Sequence, residues 1–131
     1  MSEPTRMIAI VDDDPRVLES LEELLESAGH VVRKFSSPKA LLDAGLSDIG
    51  CLVTDIGMPA MDGFELYDVV KKTRPDLPVF FITGRPVIGD QQRALANGIR
   101  GFFRKPFDGP ALLGAVGNAL QTHGGSNADR R

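Results

Sequence analysis

Six side chains able to carry charge or donate a proton fall just after short apolar runs. Asp12, Asp13 and Asp14 follow Met7–Val11, Asp55 follows Cys51–Thr54, Thr83 follows Pro78–Ile82, and Lys105, succeeded by Pro106, follows Ile99–Phe103. Brought together, Asp12, Asp13 and Asp55 would repel one another. Two carboxylates ~4–5 Å apart at an effective dielectric of ~20 cost roughly 3–4 kcal/mol. Such a trio needs positive charge or takes up protons. A hard divalent cation with oxygen ligands meets that need, and Mg²⁺ takes few carboxylates while keeping several waters. Lys105 supplies the rest, so three carboxylates balance one Mg²⁺ and one ammonium. Converting one carboxylate into an acyl phosphate would add about one negative charge, which the same two cations would absorb. Taken singly, Asp14 reads as the cap of a following helix and Lys105-Pro106 as a turn. Reading the whole set as bland requires coincidence at four run ends.

The elements that must position these residues alternate. Short β-like runs (Met7–Val11, His30–Phe35, Cys51–Thr54, Pro78–Ile82, Ile99–Phe103) are separated by amphipathic stretches at even spacing. Several of the runs are nearly continuous in apolar or β-branched residues, the pattern of strands buried on both faces, hence parallel and covered by helices on each side. The first helix opens at Pro15 behind a capping Asp, carries Val17, Leu21, Leu24 and Ala28 on one predicted face with Leu18 and Leu25 flanking it, and stops at Gly29. Further helices are expected over Pro38–Ala44, from Asp62-Gly63 to before Pro75, around Ile88–Asn97, and from Asp108-Gly109-Pro110 onward. The fold class is therefore α/β: a doubly wound five-stranded parallel sheet, order 2-1-3-4-5, of the flavodoxin-like (βα)5 kind. In such a sheet function gathers at the carboxyl ends of the strands, near the switch point between the first and third.

With 131 residues, 42% of them hydrophobic and 25% charged, the chain has the size and make-up of one globular domain, which excludes a disordered or collagen-like chain. No apolar run approaches the ~20 residues of a bilayer span, and MSEPTR lacks a signal-peptide core. A net charge of −3, with basic clusters only at Arg100, Arg104 and Lys105 and at Arg130 and Arg131, argues against direct binding of nucleic acid by this chain. A lone cysteine, Cys51, and two isolated histidines exclude a disulfide scaffold and disfavour a structural zinc site, and fit a reducing, cytoplasmic setting.

On Val11-Asp12-Asp13, TDIGMPAMDG around Asp55, Ile82-Thr83-Gly84 and Arg104-Lys105-Pro106-Phe107, the sequence resembles a response-regulator receiver domain of two-component signalling, from Met7 to about Leu120. The resemblance implies that Asp55 is the phospho-acceptor, taking a phosphoryl group from a sensor histidine kinase or a histidine phosphotransfer protein. It implies a Mg²⁺ held directly by Asp13 and Asp55, through water by Asp12, and by the backbone carbonyl of Gly57. Thr83 and Lys105 would bind phosphoryl oxygens. Phe102 stands at the aromatic switch position, where many relatives carry Tyr; it reads equally as a core residue. Pro86 is expected to stiffen the loop after Thr83.

Residues 1–122 are expected to form the receiver and 123–131 a disordered polar tail. Output would run to a target or a second copy through the face of the fourth helix, fifth strand and fifth helix, with Gln91, Arg93, Asn97, Arg100 and Arg104 on it or simply solvated. Val17 and Leu18 are candidates for kinase docking or for the core. The chain reads as a stand-alone receiver, with the receiver part of a longer DNA-binding regulator as the alternative. A Mg²⁺-dependent phosphohydrolase is the rival of another class; one familiar type needs an acid two residues after its nucleophile, where this chain has Gly57.

Overall fold

The structure, a computed structural model, describes residues 7–84 and 87–125. Five strands, β1 (Met7–Val11), β2 (Val31–Phe35), β3 (Ile49–Asp55), β4 (Val79–Thr83) and β5 (Gly101–Arg104), alternate with α1 (Pro15–Ser27), α2 (Pro38–Ala44), α3 (Gly63–Thr73), α4 (Asp90–Ala96) and α5 (Gly109–Gly125). The strands form one sheet in the order β2-β1-β3-β4-β5, all parallel, as the near-continuous apolar runs demand. β3 and β4 are buried along their whole length, whereas β2, at one edge, exposes Val31 and keeps only Phe35 inside.

Because successive strand side chains face opposite ways, the sheet divides the core in two. Val11, Leu52 and Phe81 meet Leu41, Leu66 and Ala94 of α2, α3 and α4. Ile10, Val53 and Phe80 meet Leu21 and Leu25 of α1 and Leu112 and Val116 of α5. Cys51 lies in the second layer, where burial pushes its thiol up to about 12.

Several details differ from the sequence expectation: β3 runs from Ile49 through Asp55, β5 covers Gly101–Arg104, and three helices differ as follows. The buried stripe of α1 is Leu18, Leu21 and Leu25, with Val17 and Leu24 half-buried and Ala28 exposed. The apolar face is thus turned by about one residue from the expected one, because two overlapping helical stripes exist in this sequence and the contact with the sheet selects between them. α4 begins at Asp90 rather than Ile88, since Gly89 adopts φ 92° and Ile88 stands in solvent. α5 is helical to Gly125, so 123–125, expected in a disordered tail, continue the helix, while 126–131 and Pro86 lie outside the described residues. Among the described residues no helix is long and apolar enough to cross a membrane.

Candidate functional site

Strand register sets the site. Val11 pairs with Thr54, so the residues that follow, Asp12 and Asp55, leave neighbouring strands at the same rim. Thr83 pairs with Arg104, and the Lys105 amide donates to the Thr83 carbonyl at 2.8 Å, which brings the lysine to the same edge. Asp12, Asp13, Asp14, Asp55, Gly57, Thr83, Gly84 and Lys105 line one cavity of about 190 Å³. Every predicted site residue except Phe102 is therefore brought together. Gly84 and Asp14 were given no part in the chemistry by sequence; their place on the rim is a consequence of strand register.

Each acid has a distinct setting. Asp12 is wholly buried: one oxygen accepts the Asp14 amide at 2.8 Å and the other the Lys105 ammonium at 2.8 Å. Asp13 is exposed, and Asp55 is buried at the end of β3. One carboxylate oxygen from each of Asp12, Asp13 and Asp55 lies within 4.8 Å of the others. Lys105, about one-fifth exposed, also stands 3.4 Å from Asp55 Oδ1. Burial, and then the charge of Asp12, raise the Asp55 carboxyl above the usual aspartate range, against the pull of Lys105. Burial works against the charge of Lys105, yet its bond to Asp12 and the charges of Asp12 and Asp55 outweigh it and hold the ammonium above the ordinary lysine value. One cation is thus not enough for this pocket. A hard, oxygen-loving cation fits the three converging carboxylates, and their crowding is what would attract it.

The loop that carries Gly57 is pinned at both ends. The Ile56 amide donates to the Ile82 carbonyl, and the Ile56 carbonyl accepts the amides of Met58 and Gly63. A methyl group at Gly63 would lie 2.6 Å from the Asp55 carbonyl oxygen, so only glycine lets α3 start this close to the acceptor strand. α3 is then fixed by a capping box, Asp62 with Glu65. Ala60 holds the turn at φ 69°, a left-handed conformation that glycine adopts more easily. At the other edge of the pocket, Asp14 caps α1 by accepting the Arg16 amide, which holds its carboxyl below the usual range.

The profile of response regulator receiver domains matches residues 8–117. The chain belongs to that family. Among its relatives, the receiver is 39% identical over 122 residues to the response regulator protein TodT of Pseudomonas putida, covering 92% of this chain and 54% of TodT. It is 39% identical to the transcriptional regulatory protein FixJ of Azorhizobium caulinodans, over 86% of this chain and 54% of FixJ. The chain spans about half the length of these curated relatives. The structure of the response regulator StyR superposes with a TM-score of 0.83 at 36% identity, covering 92% of this chain and 61% of that one. A receiver domain from Clostridium thermocellum gives 0.82 at 27%, over 88% and 94%. The receiver is thus a signalling domain rather than a typical enzyme, and the phosphohydrolase reading gives way.

The remaining sequence candidates divide. Phe102 is half-buried away from the acids, packed against the α2–α3–α4 layer of the core and lining a second cavity of about 470 Å³ with Val87, Ile88 and Arg104. Leu18 belongs to the core, whereas Val17 lines a groove with Asp14, Arg16, Ser20 and Phe107 beside the acids. Gln91, Arg93, Asn97, Arg100 and Arg104 are all exposed, as expected, and in addition Arg93 stacks on Phe64 and the Asn97 carbonyl accepts the Tyr67 hydroxyl of α3.

Proposed function

We propose that this receiver accepts a phosphoryl group on Asp55 from the phosphohistidine of a sensor histidine kinase or a histidine phosphotransfer protein. The observation that carries the reading is the meeting of Asp12, Asp13 and Asp55 with Lys105 at one rim, around a carboxyl whose ionised form the pocket disfavours. Asp13 and Asp55 would hold Mg²⁺ directly, Asp12 through water because both of its oxygens already have partners, and Gly57 by its carbonyl. When bound, the ion supplies positive charge to the phosphoryl oxygens.

The rest is done by the side chains. An Asp55 carboxylate oxygen attacks phosphorus; the O–P bond forms, the P–N bond breaks, and its electron pair returns to the imidazole nitrogen. Lys105 turns from Asp12 toward one phosphoryl oxygen, a short swing since it already lies 3.4 Å from Asp55. The Thr83 hydroxyl, buried at the end of β4, donates to another. Movement of Thr83 draws Phe102 inward, and because Phe102 has no hydroxyl its inward state rests on packing alone. Gly57 is exposed and offers no side chain over the acceptor, so spontaneous dephosphorylation is not slowed there. Gly57→Arg is expected to lengthen the lifetime of the phosphorylated form, measured by loss of label.

FixJ is named a transcriptional regulatory protein and is about twice the length of the matched segment, so control of a DNA-binding output is compatible with the same chemistry. Passage of the phosphoryl group to a second histidine protein is the other output. The deciding experiment incubates the protein with acetyl phosphate and Mg²⁺ and locates the modification by mass spectrometry. Label on Asp55, abolished in Asp55→Asn, is expected. Undiminished labelling of Asp55→Asn would remove the assignment.

A further inference from the structure

α4 is poorly anchored by its own sequence. It has seven residues, Ala94 is its buried one, and Gly89 at its start gives no side-chain cap. Leu95 and the preceding Val87 and Ile88 face solvent. Beyond its packing on β5 and the burial of Ala94, two contacts from α3 reach it. The Tyr67 hydroxyl donates to the Asn97 carbonyl at 2.8 Å, just past the end of α4. The Arg93 guanidinium lies 3.9 Å above the centre of the Phe64 ring.

Both holding points lead back to the acceptor. Phe64 and Tyr67 each meet the Phe81 ring edge-on, and Phe81 is two residues before Thr83 on β4. Phe64 follows Gly63, which packs on the Asp55–Ile56 backbone. The approach at the far end is equally close: a methyl group at Gly98 would stand 2.9 Å from the Tyr67 hydroxyl. Burial, with the charge of Asp68, keeps the Tyr67 phenol above its ordinary value and so protonated as a donor.

The geometry points to a two-point latch, Tyr67 on Asn97 and Arg93 on Phe64, that holds α4 to the helix rooted in the acceptor loop and must open when α4 moves. Its two points differ in chemistry, a hydrogen bond and a cation–π contact, and are joined by the Asn97 amide and side chain, which both donate to the Arg93 carbonyl. A latch of this kind joins the pocket to α4 through α3, separately from Thr83 and Phe102.

Hydrogen exchange on the full chain without metal tests this. Tyr67→Phe keeps the ring and removes the bond, and the amides of Asn97, Gly98 and Ile99 are expected to exchange about fivefold faster while those of α1 and β1 stay unchanged. Arg93→Gln is expected to give about two- to fivefold in the same amides, and the double variant a larger rise than either alone. Unaltered exchange in Tyr67→Phe, or an equal rise throughout the sheet, would overturn the latch. A second arm rests on the phospho-acceptor reading: with Mg²⁺, Tyr67→Phe is expected to bind beryllium fluoride about fivefold more tightly, because opening no longer breaks that bond. Unchanged or weaker binding by the variant would overturn the latch as a restraint on that movement. If the unmodified protein bound no beryllium fluoride, the acceptor reading would fail, and the exchange arm would still decide the latch.

Discussion

α3 and α4 lie on the same side of the sheet, yet they are built to opposite standards. α3 has eleven residues, a complete capping box and five buried side positions, Gly63, Phe64, Leu66, Tyr67 and Val70. α4 has seven residues, an uncapped start and one buried side chain. The well-built helix is the one whose first residue touches the acceptor strand. A charged pocket needs rigid walls, because displacement of one carboxylate changes every pairwise repulsion in it. The lightly built helix borders the face proposed for output, and few buried contacts are what would permit a change of shape there.

The contrast can be broken most severely in the core. Leu66→Ala in α3 is expected to cost about 3 kcal/mol, whereas Leu95→Ala in α4 stays within about 0.5 kcal/mol; urea unfolding of both variants measures the difference. Equal losses would abolish the distinction between the helices. Next comes the cap. Asp62→Ala removes the carboxylate that accepts the Glu65 amide while leaving the Asp62 amide to donate to Glu65, and is expected to cost about 1 kcal/mol by the same measurement, with weaker Mg²⁺ binding as the loop before α3 loosens.

The rigid side also has a pH signature. Asp55 holds a proton more tightly folded than unfolded, so its contribution to stability is present below the ordinary value of 3.8 and lost as pH rises through its raised folded pKa. At neutral pH the metal-free protein is therefore expected to be less stable than Asp55→Asn, and the gap to close on acidification. Mg²⁺ binding runs the other way and weakens as pH falls through the same value; calorimetric titration across pH checks it. The smallest effect sharpens the comparison: Ala60→Gly relieves the left-handed backbone before α3 and should gain about 0.5–1 kcal/mol in thermal unfolding.

Legibility in the sequence followed periodicity. The runs at Met7–Val11 and Pro78–Ile82 are strands within a residue of their expected bounds, since an apolar run after a turn has few alternatives in a doubly wound sheet. The acids, Thr83 and Lys105 were legible as a site because parallel strands deliver their last residues to one edge. The face of α1 was not, because Val17 and Leu18 each begin a plausible stripe and only the packing against β1 and β2 distinguishes them. Nor was the role of Tyr67: a tyrosine on an apolar helical face reads as core, and its partner lies thirty residues further along the chain.

By itself the order of residues determined the alternation of strands and helices, the parallel sheet and the chemical types waiting at each strand end, since all of these follow from local pattern and backbone sterics. The tertiary structure alone decided that Lys105 bonds Asp12 at 2.8 Å and stands 3.4 Å from Asp55, that Gly63 must be bare, and that the Tyr67 hydroxyl meets the Asn97 carbonyl just past α4. Those are distances between residues far apart in the chain. No local rule sets them; they arise when buried surfaces settle on one packing.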